Sequence, residues 1–191
     1  MITFVKSGTT LEHLPKGNHP QIAFIGRSNV GKSSLINHLA GQKQLAHSSS
    51  EPGRTRTLNI FDVDKRYFLI DLPGYGYAKG RKATGYIFYD IIGGYLEGSK
   101  NLKLVFVIID ARLGPTELDQ QMLTFLQQQR LPFAIIANKI DKLTHSERIA
   151  LKRKLEAGYD GLPVIMHSST KTMGKGDVLD LIDKYLLREH A

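Results

Sequence analysis

Cysteine is absent from the 191-residue chain. Its absence excludes disulfides, thiolate zinc sites and cysteine nucleophiles together, and the seven histidines are scattered without metal-ligand spacing, so zinc chemistry is not expected. Long apolar runs are missing as well. Nothing approaches the roughly 20 residues that cross a bilayer, and the N-terminus MITFVKSGTT lacks the charged-then-apolar layout of a secretory signal. Stable membrane insertion is therefore not expected, and a cytoplasmic location is. Repeats, low-complexity tracts and linkers are lacking too, which leaves residues 1–191 as one globular domain with residues 1–20 as a short N-terminal extension. Acidic residues are in short supply: 18 Asp and Glu face 26 Lys and Arg, a formal charge of +8. Such a surface attracts a polyanion (RNA, DNA or an acidic membrane), and charge alone does not choose among them.

What the chain does contain is enough apolar residue, 41%, to build a core. Runs rich in Val, Ile and Phe recur at QIAFIG, RYFLIDLPG, KLVFVIIDARLG, FAIIANKID and PVIMHSS. Helix-compatible segments lie between most of them: KSSLINHLAG, ATGYIFYDIIGGYLEG, TELDQQMLTFLQQQR, SERIALKRKLEAG and GDVLDLIDKYLLREH. In the last, Val178, Leu179, Ile182, Tyr185 and Leu186 form one apolar stripe at helical spacing. Near-continuous apolar strands need helices on both faces, so the expected class is α/β with a mainly parallel sheet. TLNIFDVD adds a strand that turns back through DVDKR as an antiparallel hairpin, giving six strands of which one is antiparallel.

Gly26, Arg27, Ser28, Asn29, Val30, Gly31, Lys32 and Ser33 read G-x-x-x-x-G-K-S between a strand and a helix, the context of a P-loop. Backbone N–H groups and a helix N-terminus there surround phosphate oxygens, Lys32 reaches the terminal phosphates, and the Ser33 hydroxyl can ligate Mg²⁺. A triphosphate needs a second handle. Asp71 closes an apolar run and can hold Mg²⁺, while Leu72, Pro73 and Gly74 follow it, with the Gly74 N–H placed to touch the γ-phosphate. Asn138, Lys139, Ile140 and Asp141 form N-K-x-D at another strand end. A carboxylate there accepts from N1–H and the exocyclic amine of guanine, a donor pair that adenine lacks, so GTP and GDP are expected rather than ATP. His167, Ser168 and Ser169 supply a further loop, where a backbone N–H could meet guanine O6. Between the P-loop and Asp71, HSSSEPGRTRTLN is polar and poor in apolar residues, as befits a segment that orders around γ-phosphate and metal. Within it Gly53, Arg54, Thr55, Arg56 and Thr57 are candidates for nucleotide contact, with Thr55 the first choice for the metal shell and Thr57 the reserve. Metal ligation is thus assigned to Ser33, Thr55 and Asp71, and action on the γ-phosphate to Lys32, Thr55 and Gly74.

Taken together, GRSNVGKSSLIN, PGRTRTLN, DLPGYGYA, NKID and the Ser168–Ser169 pair resemble the translation-factor-related GTPases, and most closely the EngB (YihA/YsxC) family of bacterial GTP-binding proteins. The resemblance implies a P-loop GTPase domain, Mg²⁺, a role in assembling the large ribosomal subunit through that subunit or its rRNA, and a link to cell division and septation. It implies no DNA partner, and a monomer is the simplest expectation. Ras-like GTPases carry a water-orienting Gln where this sequence has Tyr75, so a slow intrinsic rate is expected. Asn29 matches the P-loop position that holds K⁺ in related GTPases. Tyr75, Tyr77, Lys79, Arg81 and Lys82 interleave aromatics and cations, the ingredients of RNA contact, and Arg148, Lys152, Arg153 and Lys154 extend the basic character. An alternative reading is a nucleotide-sensing adaptor at the division apparatus that meets protein or lipid instead of RNA.

Overall fold

The computed structural model describes residues 1–15, 17–46, 57–76, 88–159 and 161–187. The first half of the chain supplies β1 (Ile2–Gly8), β2 (Gln21–Gly26), α1 (Lys32–Ala40), β3 (Leu58–Val63) and β4 (Tyr67–Asp71). A π-helical turn, Phe88–Gly93, then runs into α2 (Gly94–Gly98). After it come β5 (Leu102–Asp110), α3 (Glu117–Gln128), β6 (Phe133–Asn138), α4 (His145–Gly158), β7 (Val164–His167) and α5 (Lys175–Leu186).

The sheet has seven strands in the order β1-β3-β4-β2-β5-β6-β7. Strands β4, β2, β5, β6 and β7 pair in parallel, while β3 pairs antiparallel with both β4 and β1. One strand, β3, therefore runs against the rest. The strand beyond the expected six is β1, formed by part of the N-terminal extension.

Alternation along the central strands explains why helices cover both faces. Ala23 and Ile25 of β2, with Val105, Val107 and Ile109 of β5, point into a cluster closed by Tyr95 and Leu96 of α2, Met122, Leu123 and Leu126 of α3, and Leu155 of α4. Their neighbours Ile22, Phe24, Leu104, Phe106 and Ile108 point the other way, onto Leu35, Ile36 and Leu39 of α1 and Val178 and Ile182 of α5. Every second residue faces one core and the residues between face the other, which is why these strands read as unbroken apolar runs. The stripe on α5 packs as its spacing predicts: Val178 and Ile182 are buried, and Leu179, Tyr185 and Leu186 lie partly buried against them. The β3–β4 hairpin turns where Asp64 and Lys65 both take positive φ, 51° and 56°, with the Lys65 N–H held by Asp62 Oδ1 at 2.8 Å. Because the parallel strands share one direction, the C-terminal ends of β2, β4, β5, β6 and β7 open onto one edge of the sheet, where the loops that bear the motifs begin.

Candidate functional site

The loop leaving β2 is held to a narrow path. A Cβ on Gly26 would lie 2.6 Å from the Ile108 carbonyl oxygen of β5, so the strand pairing admits no side chain there. Asn29 and Gly31 then take positive φ, 65° and 97°, and Gly31 caps α1 without any side-chain hydrogen bond. The first-turn N–H groups of an α-helix have no intrahelical acceptor, and the helix dipole adds partial positive charge, so this end of α1 suits an anion.

Lys32 and Asp71 meet at the mouth of the loop. Lys32 Nζ donates to Asp71 Oδ1, with side chains 12% and 5% exposed. Asn59 Nδ2 donates to Asp71 Oδ2 at 3.0 Å, from the β3 position that lies opposite Asp71 in the hairpin register. The carboxylate is thus fixed from two sides, beside an ammonium that can reach a phosphate. Ser33 is half-buried in the first turn of α1. A hydroxyl, one carboxylate and phosphate oxygens are hard donors of the kind Mg²⁺ takes, so Ser33 and Asp71 fit that ion chemically. Thr57 is half-buried just ahead of β3. Gly53, Arg54, Thr55 and Arg56 lie outside the described residues.

Past Asp71 the chain folds back on the P-loop. Leu72 and Pro73 are buried, and a Cβ on Gly74 would come within 3.2 Å of the Ser28 nitrogen and hydroxyl. Tyr75 N–H donates to the Gly26 carbonyl at 3.3 Å, and Ser28 N–H donates to the Tyr75 carbonyl at 3.1 Å. The Tyr75 ring is buried and its hydroxyl donates to Asp119 Oδ1 at 2.7 Å. Burial, and then the neighbouring carboxylate, push this phenol far above its ordinary pKa. The Tyr75 ring therefore packs against the core, 5% exposed, rather than standing free for a base to stack on. Tyr77, Lys79, Arg81 and Lys82 lie outside the described residues. Arg27, whose Nε is buried with no partner among the described residues, lines a cavity of about 280 Å³ with Tyr75, Asp110, Arg112 and Asp119.

The N-K-x-D motif begins where β6 ends. Asn138 Nδ2 donates to the Val30 and Gly31 carbonyls at 3.0 and 3.4 Å, and Lys139, at φ 66°, donates through Nζ to the Asn29 carbonyl at 2.6 Å. Lys139 Nζ is also 3.0 Å from Asp110 Oδ2. Burial alone would raise the Asp110 pKa, but hydrogen bonds from Arg112 and Lys139 outweigh it and hold this carboxyl well below its usual range. Val30 and Ile140 bury their side chains in the core, leaving only their backbone to face a ligand. Asp141 Oδ1 accepts from Ser168 Oγ at 2.7 Å, a bond that keeps the carboxyl charged below its ordinary pKa. The loop after β7 is itself pinned, with Ser168 and Met173 exchanging backbone hydrogen bonds at 3.0 and 3.1 Å. Ser169 Oγ is buried and has no partner among the described residues. His167 is fully buried and faces Asn138 rather than open space.

Sequence reading missed four of these residues. Asn59, Asp110 and Asp119 hold Asp71, Lys139 and Tyr75, and His38 of α1, whose Nδ1 lies 2.9 Å from His167 Nε2, holds His167; sequence separations of 12, 29, 44 and 129 residues give no local signal. The Asn59–Asp71 pairing alone could have been read, from the hairpin register.

Residues 21–139, more than half the chain, match the family described as 50S ribosome-binding GTPase. The chain is 39% identical over 184 residues to the probable GTP-binding protein EngB of Prosthecochloris aestuarii, covering 96% of each protein. It is 43% identical over 186 residues to that of Phocaeicola vulgatus, covering 94% of this chain and 92% of the relative. The chain belongs to the EngB family of GTP-binding proteins. Its fold agrees with that membership. A crystal structure of a probable GTP-binding protein EngB superposes with a TM-score of 0.70 at 21% identity, over 88% of this chain and 99% of the other. Era in complex with MgGDPNP and a fragment of 16S ribosomal RNA superposes with the same score, 0.70, at 24% identity, over 91% of this chain and 59% of Era. At these identities the likeness is one of fold. As an EngB protein the chain carries a GTPase domain, and the loops described above are the part of that domain nearest the C-terminal strand ends.

Proposed function

We propose that this EngB protein is a single G domain that binds GTP and GDP with Mg²⁺ and hydrolyses GTP slowly, as a nucleotide-dependent switch in assembly of the large ribosomal subunit. The observation that carries the nucleotide reading is the convergence of the P-loop, Asp71 and the Asn138–Asp141 turn, with Asn138 and Lys139 bonded to P-loop carbonyls. In this reading the backbone of Gly26–Ser33 and the Lys32 ammonium hold the phosphates. Ser33, Asp71 and Thr55, with Thr57 in reserve, hold the metal, which when bound neutralises charge on the β- and γ-phosphates. Asp141 takes the two guanine donors, Lys139 lies along the base, and the Ser168–Ser169 backbone faces O6. Water attacks the γ-phosphorus in line, the bond to the β-phosphate oxygen breaks, and GDP and phosphate leave. Lys32 and the Gly74 N–H meet the charge that develops on the γ-oxygens.

The slow rate is supported by Tyr75, which replaces a water-orienting amide and commits its hydroxyl to Asp119. Asn29, exposed on the P-loop at φ 65°, is the proposed K⁺ contact, and equal turnover in KCl and NaCl would remove that assignment. The large-subunit role is supported by the family description, 50S ribosome-binding GTPase, and by the charge of +8; the link to division follows from the EngB resemblance, and a cytoplasmic location belongs to the same reading. Among the described residues no helix is long and apolar enough to cross a membrane. The deciding experiment is co-sedimentation with isolated large subunits in GDP, a GTP analogue or no nucleotide, at two salt concentrations. Nucleotide-dependent binding that weakens steeply with salt is expected. Absence of RNA association in every condition would favour the adaptor reading.

A further inference from the structure

Behind the base-reading turn lies a hydrogen-bonded chain of imidazoles. His38 sits in the last turn of α1, His167 ends β7 and Asn138 ends β6. His38 Nδ1 is 2.9 Å from His167 Nε2, and His167 Nδ1 is 2.8 Å from Asn138 Oδ1. Asn138 Nδ2 in turn donates to the Val30 and Gly31 carbonyls.

With neutral rings, these contacts set the donor at each link of the chain. An amide nitrogen must face the two carbonyls, so Asn138 Oδ1 faces His167 and can only accept. His167 Nδ1 must then carry hydrogen, which leaves a lone pair on its Nε2. That lone pair needs a donor, and His38 Nδ1–H is the atom within reach. Donation therefore runs one way, from His38 to His167 to Asn138 to the P-loop. A proton added at His167 Nε2 would set two N–H groups against each other. Lys175, from α5, donates to the His38 carbonyl at 2.9 Å and brings the ammonium that faces this pair. Burial disfavours a charge on either ring, with Lys175 adding to it at His38 and the neighbouring imidazole of His38 adding to it at His167.

We propose that His167, backed by His38, is a positioning residue for guanine-nucleotide binding, locking the Asn138 amide in the one orientation that ties the base-reading turn to the P-loop. The opposite amide orientation would point Oδ1 at the Val30 and Gly31 carbonyls, and the tie would become a repulsion. Gly31 makes the contact close, since a Cβ there would lie 2.5 Å from Asn138 Nδ2. This inference rests on the guanine-nucleotide reading above.

Two measurements on the full chain test it. The first is a long-range ¹⁵N–¹H spectrum of the ligand-free protein at pH 7.5, in which both His38 and His167 should appear as neutral Nδ1–H tautomers. Either ring in the Nε2–H form, or charged, overturns the proposal. The second compares GDP binding by calorimetry in His167→Phe and His167→Asn. Phe removes the donor and should weaken GDP by about tenfold or more, the order expected when a buried acceptor loses its partner. Asn places an amide N–H near the position of Nδ1 and should restore affinity to within about threefold of the parent. Equal affinity in all three proteins overturns the proposal, as does a loss in Asn matching that in Phe. A parent protein that gives no heat with GDP defeats the nucleotide reading instead, and the tautomers still decide the relay. If the Phe variant does not fold, the tautomers and the Asn variant decide.

Discussion

At Tyr75 one side chain joins two parts of the site. Its backbone exchanges hydrogen bonds with Gly26 and Ser28, and its hydroxyl meets Asp119, whose other oxygen accepts from the Thr116 backbone and hydroxyl to cap α3. Tyr75→Phe leaves one buried carboxylate oxygen without its donor, which costs about 1–3 kcal/mol. Urea unfolding should show that loss, while GDP affinity stays within about threefold because the backbone bonds survive; an unchanged urea midpoint would count against the hydroxyl's contribution. Gly31 is constrained twice, by φ of 97° and by Asn138 Nδ2 at 2.5 Å from any added Cβ. Gly31→Ala should therefore weaken GDP by at least about tenfold in calorimetry, since it strains the backbone and displaces the amide together. At His167 the prediction concerns pH. Burial, and then His38, bring the ring's pKa down to about 4, whereas in the unfolded chain it titrates near 6.5. Between those values the unfolded state binds the extra proton, so stability is fully present above pH 6.5 and is lost as pH falls towards 4. The loss amounts to roughly 3 kcal/mol if the ring acts alone. Urea midpoints measured from pH 7 to 4.5 should fall in the parent and fall less in His167→Asn.

At the scale of elements, β1 acts on its neighbour more than on the core. Between the buried Ile2 and Gly8 its five residues are exposed, Phe4 and Val5 by nearly half, yet its backbone covers the whole outer edge of β3. Removing residues 1–8 should cost about 2 kcal/mol for the burial of Ile2 alone. It would also bare an edge strand carrying Leu58, Ile60 and Phe61, so the truncated protein should melt earlier and scatter light on concentration. The same exposure explains why β1 is hard to see in the sequence: ITFVKSG shows no alternation because only its ends are buried. Strands β2, β4, β5, β6 and β7 are legible because burial on both faces makes them continuous apolar runs. The P-loop and N-K-x-D are legible for a different reason, each being a contiguous run of residue types at fixed spacing, although their contact with each other spans more than a hundred residues. Tyr75–Asp119 and His38–His167 are not, because strand order and helix placement bring those pairs together over 44 and 129 residues.

For the molecule as a whole, the candidate site belongs to no single element. It is the meeting of loops from β2, β4, β6 and β7 at the C-terminal ends of the parallel strands. A ligand seated there would tie those loops together, so its binding free energy should appear in the unfolding of the entire domain. At about a hundred times its Kd a ligand adds about 2.7 kcal/mol, which for a domain of this size raises the melting temperature by roughly 5–10 °C. GDP should produce that shift and ADP should not. Asp141→Asn tests which atoms make the choice. Asn keeps an oxygen for the Ser168 hydroxyl, so the loop stays anchored, but it replaces one acceptor with an N–H donor. Guanine then presents its C2 amine to a donor, whereas xanthine presents a C2 carbonyl that can accept. The variant should therefore lose most of the GDP-induced shift and gain one with xanthosine diphosphate, and a variant still stabilised by GDP as strongly as the parent would show that another group reads the base.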